Sequence, residues 1–286
     1  LLKIPSELRK DPVEVKKYIN ESDITFLCLP DAAAREAVAM VENENTIILD
    51  TSTAHRTEAG WAYGYPELSA AHREAIRTGK RIAVPGCYAT GFITTAYALA
   101  AGGILPKDYP VSAFAVSGYS GGGKKMIAQY QAQDKEKELS SARLYALSQS
   151  HKHLKEMKAI SGLERTPLFS PMVTDYYSGM TVSLTFYADM LNGRQTPETV
   201  REYLAKHYAG EKFITVQPLG AEAESGGVLF SSARSGWDGL EIYVTGNEDR
   251  IMVTTRFDNL GKGASGAAIQ CMNIVLGCEE DKGLTV

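Results

Sequence analysis

The spacing of apolar and polar positions divides the chain into two regimes. Up to about residue 86, short runs that are apolar nearly throughout alternate with helix-like segments. Residues 24–29, 46–49 and 82–84 are such runs, and residues 32–41 and 69–77 are the intervening helices. Asp11-Pro12 followed by Glu14 predicts an N-cap, a first-turn proline and an acidic first turn. Apolar strands separated by helices of roughly 10–15 residues predict a parallel sheet covered on both faces, as in a doubly wound nucleotide-binding domain. The chain opens on Leu1-Leu2-Lys3-Ile4-Pro5, which reads as an apolar strand already under way.

The middle of the chain alternates instead. Val182, Leu184 and Phe186 fall on one face of a strand, and Thr181, Ser183 and Thr185 on the other. Leu240, Ile242 and Val244 repeat the pattern, as do Ile251, Val253 and Thr255 after the turn Gly246-Asn247. A period of two predicts half-exposed strands in a mainly antiparallel sheet with helices on one face. Residues 196–208 read as a helix crossing that sheet, residues 263–276 as a closing helix of small residues, and residues 221–227 as a loose loop. The fold class is therefore α/β: a doubly wound, Rossmann-like nucleotide-binding domain followed by an α+β catalytic domain.

Composition removes several classes of function. With 44% hydrophobic and 22% charged residues in 286, disorder is excluded for most of the chain's length. A net charge of −4 without a clustered basic face argues against nucleic-acid binding. No apolar stretch reaches the roughly 20 residues that span a bilayer, and no signal-peptide pattern opens the chain. Four scattered cysteines without a CxxC pair suit neither a disulfide framework nor a zinc site, and a reducing cytoplasm is the expected setting. Cys28 is expected in a buried strand, and Cys271 and Cys278 along one helix face.

Cys87 stands apart. It lies in Pro85-Gly86-Cys87-Tyr88-Ala89-Thr90-Gly91, between a short strand and an apolar helix. At a helix start, exposed N–H groups and the positive dipole end favour thiolate over thiol, and the same groups can hold an oxyanion. The other reading is a small residue packed into a tight turn. Ser117-Gly118-Tyr119 leads into Ser120-Gly121-Gly122-Gly123-Lys124-Lys125, a loop able to approach an anion, or else a glycine turn with solvated lysines. His151 and His153, followed by Glu156, offer acid–base groups. His55, His72 and His207 read as surface or loop residues. Ser52 and Arg56 follow the carboxyl end of a strand, where ligands collect in open α/β sheets.

Jointly these motifs resemble the N-acetyl-gamma-glutamyl-phosphate reductases, in particular their shorter bacterial form. The resemblance runs nearly end to end, on residues 27–31, 50–56, 60–64, 85–88, 117–125, 151–153 and 258–266. It implies a cytoplasmic enzyme of arginine biosynthesis that reduces an acyl phosphate to an aldehyde with NADPH. Cys87 would attack the acyl carbon and carry a thioester, and His153 or His151 would move the proton. Arg56, Ser117, Gly118 and Lys124 would face the anionic substrate, while Pro30, Ser52, Asn259 and Gly261 would face NADP. The implied fold is shared with glyceraldehyde-3-phosphate and aspartate-semialdehyde dehydrogenases. Its domains would be residues 1–86 for NADP, completed by residues 259–286, and residues 87–258 for catalysis and oligomerisation. A homo-oligomer, dimer or tetramer, is implied, with no metal and with a small-molecule substrate as the other partner.

Two departures accompany the resemblance. The family's first strand and its G-x-x-G-type turn do not precede Leu1, so a chain that begins there would lack the phosphate cradle; one that continues upstream would not. Residues 154–156 read Leu-Lys-Glu where the family pattern has a proline before the glutamate. Two further readings compete with the reductase: an enzyme of the aspartate-semialdehyde-dehydrogenase kind, and a cofactor-less remnant that binds without turnover. Arg9 and Lys10 could meet a 2′-phosphate or be solvated surface.

Overall fold

The computed structural model describes residues 4–286, and the strand expected on the first residues lies outside them. The described chain forms two compact units. One comprises the residues up to Pro85 together with Ala268–Lys282, the other Gly86–Ala267 with Gly283–Val286. The return to the first unit thus comes at Ala268 and not at residue 259. Residues 258–260 are held in the second unit, where the Asp258 carboxylate accepts from Ser178 Oγ at 3.1 Å and from the Leu260 N–H at 2.7 Å.

In the first unit, α1 (Pro12–Asn20), β1 (Ile24–Leu27), α2 (Asp31–Ala39), β2 (Ile47–Asp50), β3 (Ala62–Tyr63), α3 (Ala70–Thr78) and β4 (Arg81–Ala83) follow one another. Asp11 caps α1 as the sequence predicts, accepting from the N–H groups of Val13 at 2.9 Å and Glu14 at 3.4 Å. The strands form a parallel sheet in the order β1-β2-β4-β3. Neighbours along β2 serve opposite faces. Ile48 packs with Ile19, Leu27 and Ala37, and Leu49 packs with Ile76, Ile82 and Cys271. Each such side chain contributes about 1.5–3 kcal/mol on burial, so both faces of the sheet carry a core.

The first strand departs from expectation. β1 is the edge of the described sheet, Phe26 is 39% exposed, and Cys28 is exposed rather than buried. An edge strand has a neighbour on one side only, which leaves alternate side chains uncovered.

In the second unit, the chain runs through α4 (Cys87–Ala101), β5 (Ser112–Gly118), α5 (Gly123–Gln131), β6 (Arg143–Leu144), α6 (Leu154–Ser161), β7 (Leu168–Thr174), β8 (Met180–Tyr187), α7 (Pro197–His207), β9 (Ile214–Val216), β10 (Leu240–Gly246) and β11 (Arg250–Phe257). A seven-stranded sheet is ordered β6-β7-β5-β8-β11-β10-β9. It is mainly antiparallel, with β5–β7 and β9–β10 parallel. Helix α4 lies flush on it because residue 91 is glycine. A Cβ there would stand 2.6 Å from Thr255 Oγ1 and 2.7 Å from Val182 Cγ2, contacts no side chain tolerates.

The alternating strands are less exposed than their pattern predicts. Thr181 and Ser183 on β8, and Glu241 and Tyr243 on β10, are all buried. Their polar groups are matched across the sheet: Ser183 Oγ meets Thr254 Oγ1 at 2.8 Å, and Glu241 binds Arg256 at 2.8 Å and also Arg234. A polar face with its partners built in can be buried without large cost.

The closing segment also differs from a single helix over residues 263–276. A π-turn (Gly261–Ser265) precedes α8 (Gly266–Val275). Cys278 lies beyond the helix end and does not share its face with Cys271. The latter is buried, its thiol donating to the Gly64 carbonyl at 3.4 Å. Within the expected loop of residues 221–227, Ala221–Ser225 form a 3₁₀ turn between left-handed Gly220 and Gly226. Among the described residues, no helix is long and apolar enough to cross a membrane.

Candidate active site

Helix α4 begins at Cys87, with Gly86 as its N-cap. The N-terminal N–H groups of a helix have no intrahelical acceptors, and across this 15-residue helix the aligned peptide dipoles add to their positive end. Cys87 is half-buried there. Gly263 packs directly on it: a Cβ on Gly263 would lie 3.0 Å from Cys87 Cβ and 3.1 Å from the Asp258 carbonyl oxygen. The glycine of the π-turn therefore sets the space beside the thiol.

Tyr88 carries the next layer. Its hydroxyl donates to the Met172 carbonyl at 3.2 Å, and its ring meets Phe169 edge-on at 5.3 Å. The rings of His151 and His153 stand 5.8 and 6.1 Å from it and 4.7 Å from each other. Tyr145 adds a fifth ring, 5.7 Å from His151. Burial raises the pKa of Tyr88, and the neighbouring Tyr145 and Cys87 raise it further. Burial is also the main cause for Tyr145, with Cys87 adding to it. Both hydroxyls stay protonated at neutral pH, close enough to feel a charge on the Cys87 sulfur.

The two histidines differ in what they can do. His151 Nδ1 accepts the backbone N–H of His153 at 3.1 Å, which leaves the proton of the neutral ring on Nε2, 3.4 Å from the Tyr145 hydroxyl. Burial, followed by the charge of Lys152, pushes the His151 pKa down to about 4, so this imidazole is neutral at pH 7. His153 is 5% exposed and occupies the N-cap position of α6 without a side-chain capping bond. From the first turn of the same helix comes Glu156, 2% exposed, whose carboxylate accepts the Gly86 N–H at 3.2 Å.

The other second-unit residues named from the sequence separate into two groups. Ser117 is buried at the end of β5, and Gly118 is a close-approach point, since a Cβ there would be 2.5 Å from the Tyr177 oxygen. Lys124 is exposed on the first turn of α5. Asn259 is 1% exposed and its amide ties two loops together, accepting from the Gly179 N–H at 2.8 Å and donating to Ser120 Oγ at 2.9 Å. Gly261 is buried, and a Cβ on it would come within 2.4 Å of the Trp237 oxygen. Both residues shape the loops, and the Asn259 amide is committed to neighbouring groups.

The first unit holds a separate polar cluster at the carboxyl end of β2. Asp50 is fully buried, binds His55 Nδ1 at 2.6 Å, and accepts from Ser52 Oγ at 2.7 Å and the Ser52 N–H at 2.9 Å. His55 stacks on Trp61 with ring centroids 4.1 Å apart. His55 is thus a core residue and not a surface one. Arg56, expected at the substrate, turns inward: it donates to the Val84 carbonyl at 2.8 Å and the Thr51 carbonyl at 2.9 Å. Those carbonyls end the strands β4 and β2 and need donors, and a buried guanidinium supplies several at once. Pro30 is exposed as the N-cap of α2. Sequence reasoning missed Tyr145, Asp50 and Trp61. Trp61 lay within a motif already noted, whereas Tyr145 carries no local signal and reaches the cluster through β6.

Comparison with known proteins follows the same division. A family model described as "Semialdehyde dehydrogenase, NAD binding domain" matches residues 2–78, and "Semialdehyde dehydrogenase, dimerisation domain" matches residues 87–259. N-acetyl-gamma-glutamyl-phosphate reductase 2 of Nostoc sp. is 41% identical over 292 aligned positions, which cover 99% of this chain and 91% of the relative. The N-acetyl-gamma-glutamyl-phosphate reductase of Rhizobium meliloti is 42% identical over 280, covering 96% and 90%. Among solved structures, aspartate semialdehyde dehydrogenase from Francisella tularensis superposes with a TM-score of 0.70 at 14% identity, covering 91% of this chain and 84% of that one. Aspartate semialdehyde dehydrogenase II from Vibrio cholerae gives 0.70 at 13%, covering 90% and 81%. At such identities the structures speak for the shared fold alone.

Proposed function

The chain belongs to the N-acetyl-gamma-glutamyl-phosphate reductase family, within the semialdehyde dehydrogenases, and from that membership we propose that it reduces N-acetyl-gamma-glutamyl phosphate to the semialdehyde through a thioester on Cys87. The observation that carries the mechanism is Cys87 at the start of α4, beside Tyr88 and the histidine pair.

The helix start favours the thiolate, which attacks the acyl carbon. N–H groups of the first turn steady the oxyanion, and phosphate departs to leave the thioester. A nicotinamide cofactor, when bound, would supply the hydride that reduces this thioester. His153 would give a proton to the oxyanion so formed and take it back as the C–S bond breaks, releasing the aldehyde and the Cys87 thiolate. We assign the proton to His153 because His151 has its Nδ1 committed to a backbone N–H and a pKa near 4, too low for a base poised at neutral pH. Ser117, Gly118 and the loop ending at Lys124 are the groups we assign to the phosphoryl end of the substrate.

For the cofactor we propose NADP. The parallel sheet of the first unit presents the carboxyl ends of β1 and β2, followed by Pro30 and Ser52, where a dinucleotide binds in such sheets. Arg9 and Lys10 are exposed just before α1, suited to a 2′-phosphate. The second unit would also join two or more copies, in a cytoplasmic homo-oligomer. In the assay direction, phosphate-dependent reduction of NADP+ by N-acetylglutamate semialdehyde should be lost in Cys87→Ser, by roughly three orders of magnitude or more. Faster turnover of aspartate semialdehyde would overturn the substrate assignment, and undiminished activity of Cys87→Ser would overturn the thioester.

A further inference from the structure

The helix that carries Cys87 cannot cap itself. A self-sufficient N-terminus has a side-chain oxygen at the N-cap and a Glu or Gln at the third helical position, whose carboxyl or amide reaches back to the N-cap N–H. In α4 these positions are Gly86 and Ala89, and neither has such a side chain. The Gly86 N–H is bound nonetheless, by Glu156 at 3.2 Å.

Glu156 itself occupies the third position of α6, whose N-cap is His153. In a capping box its partner would be the N-cap amide of its own helix. Here the His153 N–H donates to His151 Nδ1 at 3.1 Å, while Glu156 serves the neighbouring helix. The N-cap amide of α6 is thus held by His151 from the loop before it, which leaves the α6 glutamate to hold the turn that presents Cys87.

Resting on the assignment of Cys87 as nucleophile, we infer that Glu156 is a positioning residue for it, acting through the Gly86 amide as a capping glutamate supplied from another helix. The arrangement meets two demands together. A glycine N-cap puts no side-chain acceptor over the first-turn N–H groups, leaving that end open toward an anion. The carboxylate anchors the turn from behind, so the open end does not fray. It does so as a hydrogen-bond acceptor, and an amide oxygen can take its place.

The test is Glu156→Ala beside Glu156→Gln, using the purified full chain. The readouts are steady-state kinetics and the rate of Cys87 alkylation by iodoacetamide at a pH where the thiol is fully ionised, with circular dichroism to register folding. Positioning predicts that Glu156→Ala lowers kcat at least tenfold with KM within about threefold, slows alkylation, and is largely rescued by Glu156→Gln. If Glu156→Ala fails to fold, near-native kcat and alkylation in Glu156→Gln still support an acceptor role. Equal loss of kcat in both variants with alkylation unchanged would show an acid–base carboxylate and overturn the inference. So would unchanged kcat and alkylation in Glu156→Ala. A fully active Cys87→Ser variant would instead remove the nucleophile assignment, whatever the Glu156 variants do.

Discussion

The backbone N–H of His153 donates to Nδ1 of His151 at 3.1 Å, and this bond makes two adjacent imidazoles unequal. One is locked as a neutral acceptor; the other is the candidate proton carrier. Asparagine at 151 can still accept through its side-chain oxygen, whereas asparagine at 153 cannot exchange a proton. His153→Asn is therefore expected to lower kcat by about 10²–10⁴, and His151→Asn by less than about tenfold. The pH dependence of kcat in the two variants checks the order, and the reverse ranking would reassign the proton.

His151 also makes stability depend on pH. Its folded pKa of about 4 lies below the ordinary imidazole value of 6.5, so the unfolded chain binds the proton first. Stability is full above about pH 6.5 and is lost as pH falls toward 4. Urea midpoints measured from pH 7.5 to 4 should decline for the parent chain and decline less for His151→Asn.

Glu241 governs a lower window. Burial would raise its pKa, but hydrogen bonds from Arg234 and Arg256 outweigh burial and hold it below the usual 4.5. A depressed carboxylate stabilises the fold above its unfolded pKa and loses that contribution as pH falls below it. Glu241→Ala leaves two guanidinium groups without their shared partner, one of them largely buried. It is expected to cost about 3–5 kcal/mol at pH 7, measurable by urea titration, with little effect on the alkylation of Cys87.

Gly263→Ala tests the space beside the thiol. Its new methyl would meet Cys87 Cβ at 3.0 Å and the Asp258 oxygen at 3.1 Å, so α4 or the π-turn must shift. Overpacking of this kind costs about 1–3 kcal/mol, and displacement of the proposed nucleophile by a fraction of an ångström is expected to lower kcat about 10- to 100-fold. Thermal melts and kcat on the same preparation separate the two effects.

In the first unit, Asp50→Ala deprives His55 Nδ1, Ser52 Oγ and the Ser52 N–H of their common acceptor. Removing a buried charged acceptor costs several kcal/mol. Weakened NADPH binding, read by fluorescence titration, would accompany the loss if the loop after β2 lines the cofactor, and unchanged binding would argue that it does not.

How legible the protein was depended on whether a property is local. The Asp11 cap, the glycine before Cys87, the helix read over residues 196–208 and the parallel strands all follow from neighbours in sequence, because capping and periodicity act over a few residues. Exposure did not follow. Cys28 was expected inside and lies outside, while His55 was expected outside and lies inside. Burial is decided by what packs against a residue, and apolar–polar spacing does not show that the segment after β2 folds His55 back onto its near neighbours Asp50 and Trp61.

The sequence by itself determined the fold class, the cysteine at a helix start and the family, since these rest on short-range patterns and on the joint order of motifs. Only the tertiary structure decided how the groups around Cys87 divide their work. Glu156 is 70 residues from Gly86, and Tyr145 arrives from just past the distant strand β6. Arg56, which the motif placed at the substrate, spends donors on the carbonyls that end β2 and β4. Hydrogen-bond partners are settled by proximity in space, and the same side chain can bind a ligand or seal a strand end. That choice is made where distant segments meet.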